Sequence, residues 1–314
     1  MHISTITIKF KSTGDLKDQP GKGCVSIPRT EHAKQFASRC QEPVDPKQLL
    51  YVQQREFAAT TPADNSVSVL GSDDATTCHL VVLRHTGSGA TCLAHCDGSS
   101  TWTEVPLIVN AVTSRSNLAK EGRLSCILLG DDRKTSHSLS LNILGGAGVM
   151  GRAMGTWKVT TAGGEGSVID MNDVIKGGIH LPLLYGIGVH VKSGYVFPAS
   201  FIFRGPVEEL RSARTFSGGQ MVEVYDSSRE LVKIGPCRWT QSDDMAFWLS
   251  QDDEIILQYL STSPYAEPPH FIQHIKSTVQ FLLDHLTSDG LFPGGQPHFY
   301  RRTEEGKWKR IYQQ

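Results

Sequence analysis

Two short runs concentrate the reactive residue types of this chain, Gly71-Ser-Asp-Asp-Ala-Thr-Thr-Cys-His79 and His95-Cys-Asp-Gly98. Between them, Thr86-Gly-Ser-Gly89 reads as a hairpin turn. Centring that turn on residues 87 and 88 pairs Leu80 with His95 and Cys78 with Asp97. Cys78 and His95 are then diagonal neighbours on one face of the hairpin, with Cα atoms roughly 7–8 Å apart. A three-residue turn would send them to opposite faces. In the first register they form a nucleophile–base pair in which the imidazole lowers the thiol pKa. Ser72, where the incoming strand begins, is placed to orient the imidazole through its hydroxyl. Asp73 and Asp74 flank the same mouth and are candidates to receive a cationic group, such as a substrate ammonium.

Each of these residues also has a plainer reading. A lone cysteine in a strand is most often a small buried hydrophobe. Gly-Ser-Asp-Asp is an ordinary turn, and His79 reads as a structural or surface histidine. Cys92, His95 and Cys96 resemble a zinc ligand run, but residues 95 and 96 of a strand point to opposite faces. No second Cys-x-x-Cys pair supports that reading.

The elements that must hold these side chains are mostly strands. Segments 49–60, 66–70, 77–84 and 90–96 are short, rich in Val, Leu, Thr and Tyr, and separated by turn residues. A helix is expected over 103–119, with Val105, Ile108, Val109 and Val112 as its apolar side and Pro106 in its first turn. Residues 123–129 read as a buried strand. Strand patterns return at 184–192, 195–203, 221–226 and 230–235, with a short helix near 206–215. The final third reads as helical, with one stripe through Trp248, Ile255, Ile256, Tyr259 and Leu260. A second runs through Phe271, Ile275, Val279, Leu282, Leu283 and Leu286, the face expected to meet the sheet. Strands with helices gathered to one side predict an α+β layered sandwich.

Two stretches resist this pattern. Residues 1–47 carry only a hint of a strand at Ile3, Ile6 and Ile8 before a run punctuated by proline and glycine. Residues 131–181 are a Gly-rich stretch with three Gly-Gly pairs and no sustained period, and read as an insertion or loop adding little to the core.

With 31 Lys+Arg against 32 Asp+Glu in 314 residues, the chain has no basic footprint for nucleic acid or anionic lipid. No apolar stretch approaches a membrane span, and the N-terminus lacks a secretory pattern. Seven cysteines, an odd count in a signal-free chain, suit reduced thiols in the cytoplasm or nucleus. The expectation is one globular domain over 1–314, acting as a monomer.

The run Leu49-Leu-Tyr-Val-Gln-Gln-Arg-Glu56, the run Leu70–His79, Val81-Val-Leu-Arg-His-Thr-Gly87 and His95-Cys-Asp-Gly98 resemble the protein N-terminal asparagine amidohydrolases. So do Arg204-Gly-Pro206, Leu260-Ser-Thr-Ser-Pro264 and Ala266-Glu-Pro-Pro-His-Phe271. These motifs cover roughly 48–129 and 183–275. Residues 1–47 and 131–181 depart from the pattern, and His2 stands where the family has a proline after Met1.

The resemblance implies removal of ammonia from an N-terminal Asn to leave Asp, the step that feeds the arginylation branch of N-degron proteolysis. It implies Cys78 as nucleophile, and Tyr51 and Tyr185 as residues lining the site. The spacing of Ser72, Cys78 and His95 is also similar to the bacterial chemoreceptor glutamine deamidases. Those enzymes and the cytotoxic necrotizing factor toxins share an α-β-β sandwich. The mechanism expected is attack by Cys78 on the carboxamide, backbone N–H groups near Thr77 and Cys78 holding the oxyanion, and His95 as acid and base. No metal or cofactor is required by such an acyl transfer. The alternatives are a deamidase of internal Gln or Asn side chains, and a non-catalytic binding module.

Overall fold

The computed structural model describes residues 36, 38–116, 122, 124–130, 157–159, 173–177, 179–182, 184–239, 244–285 and 287–312. The expected first strand at Ile3–Ile8, Cys24 and Leu286 lie outside them.

Two sheets and one helix build the layers around the site. The six-stranded sheet runs in the order β13 (Val222–Glu223), β3 (Glu56–Thr60), β6 (Thr91–Cys96), β5 (His79–His85), β7 (Leu124–Leu129) and β8 (Trp157–Val159). The five-stranded sheet runs β1 (Glu42–Pro43), β12 (Val196–Ser200), β11 (Ile187–His190), β4 (Val69–Ser72) and β2 (Leu49–Tyr51). Side chains alternate along β5, so Val81 and Leu83 join one apolar cluster while Leu80 and Val82 join another. The first cluster is covered by helix α1 (Thr101–Arg115), through Val105, Ile108, Val109 and Val112. The second packs against Leu50, Leu70, Ile187 and Val189 of the five-stranded sheet. The result is the expected α+β layering of helix, sheet and sheet.

A four-stranded sheet, β14 (Tyr225–Asp226), β15 (Leu231–Ile234), β16 (His298–Arg302) and β17 (Trp308–Ile311), closes one end of the second cluster with Tyr225, Val232 and Tyr300. Helices α2 (Glu208–Phe216), α3 (Asp244–Leu249), α4 (Asp253–Leu260) and α5 (Phe271–Asp284) follow in chain order around these strands.

Several expectations change. The apolar run 49–60 is two strands in different sheets, because the turn at Val52–Arg55 carries the chain from one sheet to the other. Helix α1 begins at Thr101, so Pro106 sits in its second turn. The last third is not all helix, since β16 and β17 end it. The Trp248–Leu260 stripe is split between α3 and α4, and only Ile256 of α4 is buried. The main neighbours of α5 are α2 and α3 rather than a sheet face, with Thr278, Val279 and Leu282 buried. Within 131–181, β8 extends the six-stranded sheet beside β7, and β9 (Asp173–Lys176) pairs with β10 (Ile179–Pro182).

Candidate functional site

The hairpin register is the one the turn implied, with Leu80 opposite His95 and His79 opposite Cys96. Cys78, one residue before β5, therefore shares the inner face with His95. Cys92 and Cys96 face α1 on the other side. The three suspected zinc ligands do not converge. Among the described residues no group of three His, Cys, Asp or Glu side chains is arranged to hold a metal ion.

Strand β4 brings Ser72 beneath the same point. Its Oγ lies 2.9 Å from His95 Nδ1, in a fully buried contact. His95 Nε2 is buried and has no hydrogen-bond partner among the described residues. With Nδ1–H donating to Ser72 Oγ, the bare Nε2 is the basic atom. Burial holds the His95 pKa down at about 4, against the opposing pull of Asp74 and Asp97. Burial likewise pushes the Cys78 thiol up, and the charges of Asp97 and Glu267 push it further. The resting site thus holds a neutral thiol and a neutral imidazole with no hydrogen bond between them, rather than the lowered thiol pKa the pairing suggested.

Cys78 opens on a pocket of about 410 Å³ whose wall includes Tyr51, Arg55, Asp74, Thr77, Asp97, Arg204, Glu267 and Phe271. Tyr51 donates its phenolic hydrogen to Asp73. Asp73 and Asp74 both meet the Arg204 guanidinium, at 3.2 and 2.6 Å, and His270 Nε2 lies 3.0 Å from Asp74. Burial and the Asp74 charge raise Asp73 to about 6. The two aspartates therefore sit in a network with an internal cation. Gly186 makes this packing possible, because a Cβ there would lie 2.5 Å from Asp73 Cβ and 2.9 Å from the Ser72 carbonyl oxygen. Thr77 Oγ1 meets Thr262 Oγ1 at 3.1 Å. Tyr185 is half-buried, accepts from Ala75 N–H through its carbonyl, and has its phenol pKa raised by burial and by Glu267 and Asp74.

Sequence reasoning gave no role to Arg204 or Glu267, although both stand in the motifs quoted above. It also missed the wall behind them. Glu56 is buried and takes hydrogen bonds from Arg211 Nε at 3.1 Å, Arg211 Nη2 at 2.5 Å, Arg214 Nη2 at 3.2 Å and Gln53 N–H at 2.9 Å. Arg211 continues to the carbonyls of Tyr51 and Arg204, at 2.8 and 2.7 Å. Arg55, at φ 57, holds Asp97 at 2.5 Å and donates its N–H to the His95 carbonyl. Although burial raises Asp97, hydrogen bonds from Ser99, Arg55 and Gln54 bring its pKa down to about 2. A left-handed non-glycine residue is strained unless its surroundings fix it, and these contacts do so beside the thiol.

Glu104, in the early turns of α1, is 1% exposed, and among the described residues neither carboxyl oxygen has a hydrogen-bond partner. Burial, with the Asp97 charge adding, raises its pKa to about 7. An acid whose folded pKa is raised favours the fold below its unfolded pKa, and that contribution is lost as pH rises through about 7. Glu104→Gln should therefore raise the thermal midpoint at pH 8 and leave it nearly unchanged at pH 4.5. Midpoints of both proteins at the two pH values check this; an equal shift at both would contradict it.

A buried serine–imidazole pair behind a pocket-lining cysteine, at the end of a central strand in an α-β-β sandwich, defines the class: an α+β protein that gathers a thiol, an imidazole and a hydroxyl beside one pocket. Comparison with known proteins narrows the class. The family model described as protein N-terminal asparagine amidohydrolase matches residues 39–310, bracketing the Gly-rich stretch. The chain is 47% identical over 288 residues to the Homo sapiens protein N-terminal asparagine amidohydrolase, covering 90% of this chain and 91% of that protein. The Mus musculus protein of the same name is 46% identical over the same span. The Arabidopsis thaliana one is 29% identical over 298 residues, 83% of this chain and 80% of that protein. The chain belongs to the protein N-terminal asparagine amidohydrolase family. No described helix is long and apolar enough to cross a membrane.

Proposed function

We propose that this protein hydrolyses the side-chain amide of an N-terminal asparagine, giving N-terminal aspartate and ammonia. The observation that carries the reading is the Ser72–His95 hydrogen bond, which leaves a bare buried Nε2 on the same sheet face as a pocket-lining cysteine. When the carboxamide enters, Cys78 passes its proton to His95 Nε2 as the sulfur bonds to the carboxamide carbon. Backbone N–H groups at Thr77 and Cys78 hold the oxyanion. The imidazolium returns the proton to the departing nitrogen, the C–N bond breaks, and ammonia leaves a thioester. His95 then draws a proton from water as it attacks, and the thiol is regenerated. Tyr51 and the Asp73–Asp74–Arg204 network shape the pocket wall, and Tyr185 lies near Asp74 and Glu267.

Ammonia release from peptides beginning with Asn, from the same peptides acetylated at the N-terminus, and from peptides with internal Asn or Gln tests the reading. Release from the free N-terminal Asn peptide alone is expected. Release from internal amides would favour the broader deamidase, and no release from any would favour a binding module. Because His95 stays neutral down to about pH 4, the acid limb of kcat/KM should fall near that pH rather than near 6.5, the ordinary histidine value. A limb centred at 6.5 would place the base elsewhere.

A further inference from the structure

The pocket that Cys78 opens on is larger than one asparagine. A cavity of about 150 Å³ holds a benzene molecule, so the eight heavy atoms of an asparagine residue need about 200 Å³ on the same scale. The pocket measures about 410 Å³. About half of it is left for whatever follows the asparagine in the substrate.

Two helices supply wall that the strands and turns around Cys78 do not. Ser212, Thr215 and Phe216 are spaced i, i+3, i+4 on α2, so one face of that helix is turned into the pocket. Phe271, His274, Ile275 and Thr278 are spaced i, i+3, i+4, i+7 on α5, and they do the same. Leu260, the last residue of α4, joins them. This wall presents hydrocarbon, because its hydroxyls are already engaged within the chain. Ser212 Oγ donates to Gln53 Oε1 at 3.2 Å, Thr215 Oγ1 to the Gln54 carbonyl at 3.1 Å and Thr278 Oγ1 to the His274 carbonyl at 2.9 Å. His274 meets Ser212 Oγ at 3.1 Å and Glu208 at 3.3 Å. What remains facing the space is Phe216, Leu260, Phe271 and Ile275, all part-buried.

The apolar wall begins beside the catalytic end. Phe271 follows His270, whose ring meets Asp74, and Leu260 stands two residues before Thr262, whose hydroxyl meets Thr77 next to Cys78. Consecutive Cα atoms of a peptide are 3.80 Å apart, so a chain with its first carboxamide at Cys78 carries its second side chain within the same pocket. We infer that the paired faces of α2 and α5 form a second subsite, which takes the side chain of the residue after the asparagine and favours an apolar one, with Ile275 as a specificity-determining residue. The assignment rests on the N-terminal asparagine reading above and adds a sequence preference to it. A leucine there covers hydrocarbon that otherwise faces water, a glycine leaves it uncovered, and an aspartate loses hydration against it.

The test uses the full chain and three peptides that begin Asn-Leu, Asn-Gly or Asn-Asp and are otherwise identical, with kcat/KM read from ammonia release. The unaltered protein should favour Asn-Leu over Asn-Gly by about tenfold and place Asn-Asp last. Ile275→Ala should cut the Asn-Leu advantage over Asn-Gly at least threefold, a ratio that a loss of folded protein would not move. Ile275→Lys should raise Asn-Asp above Asn-Gly, a gain that misfolding cannot produce; if its melting curve shows no folded protein, the Ile275→Ala ratio decides. Equal turnover of the three peptides by the unaltered protein would overturn the subsite, as would a preference for Asn-Asp. So would an Asn-Leu advantage that Ile275→Ala leaves intact. An unaltered protein that releases no ammonia from any of the three would instead remove the underlying reading, an outcome visible before any variant is made.

Discussion

Cys78→Ala should abolish ammonia release from Asn-initiated peptides while leaving the thermal midpoint nearly unchanged. The side chain is 8% exposed and small, so its sulfur contributes little packing, and no other thiol among the described residues is placed to replace it. Cys92, Cys96 and Cys126 lie on the opposite face of the sheet under α1. Cys40 is exposed, and Cys237 packs at the edge of the inner cluster outside the pocket wall. His95→Ala should cost at least about 10³-fold, because proton removal from the thiol and delivery to the leaving nitrogen are lost together. Ser72→Ala should act less severely, since it loosens the tautomer without removing the base. Steady-state assays with free Asn peptides, alongside melting curves, check all three. Near-normal turnover by Cys78→Ala would show that another thiol does the chemistry. So would an equally inactive but folded Cys96→Ala.

The second large effect is on stability. Glu56→Ala should destabilise the protein by about 3–5 kcal/mol at neutral pH, the range expected when one member of a buried ion pair is removed. Arg211, 1% exposed, would keep its charge with no carboxylate beside it, and Arg214 would lose the same partner. Burial alone would raise the Glu56 pKa, but Arg211 and Arg214 overcome it and leave the group lowered. The sign follows from that direction. The pairing contributes above the unfolded pKa and is lost as pH falls through the folded one, so the gap between wild type and Glu56→Ala should narrow in acid. Urea unfolding at pH 7 and at pH 3 checks both points. A difference under about 1 kcal/mol at pH 7 would refute the account. Activity should fall as well, because Arg211 also fixes the carbonyls of Tyr51 and Arg204 at the pocket wall.

The strands and their faces were legible because local patterns dictate them. Period-two alternation in 79–85 and 91–96, joined by Thr86–Gly89, sets a register, and the register alone puts Cys78 and His95 on one face with Cys92 and Cys96 on the other. The apolar side of α1 followed from its helical spacing. The helices near the C-terminus were read less well. Ile255 and Tyr259 remain exposed although their spacing matched a buried stripe, since periodicity cannot say which face finds a partner. The break in the run 49–60 was also missed. Val52 and Gln53 are buried like the strands around them, and only Arg55 in the left-handed region marks the change of sheet.

Sequence by itself thus determined the layered α+β class, the hairpin register and the shared face of Cys78 and His95, because each depends on short-range periodicity, whereas Ser72 ends β4 of the other sheet and reaches His95 only through the packing of the two sheets. Tertiary structure decided the electrostatics. It assigned Arg204 to Asp73 and Asp74, and Arg211 and Arg214 to Glu56, and it brought Glu267 and Cys78 to the wall of one pocket. It also buried the thiol and imidazole deeply enough to keep both neutral at rest. Those partners lie more than 100 residues apart in the chain, and a charge carries no periodic signature that names its distant partner. Desolvation, likewise, is a property of everything packed around a group, and it exists only once the chain has folded.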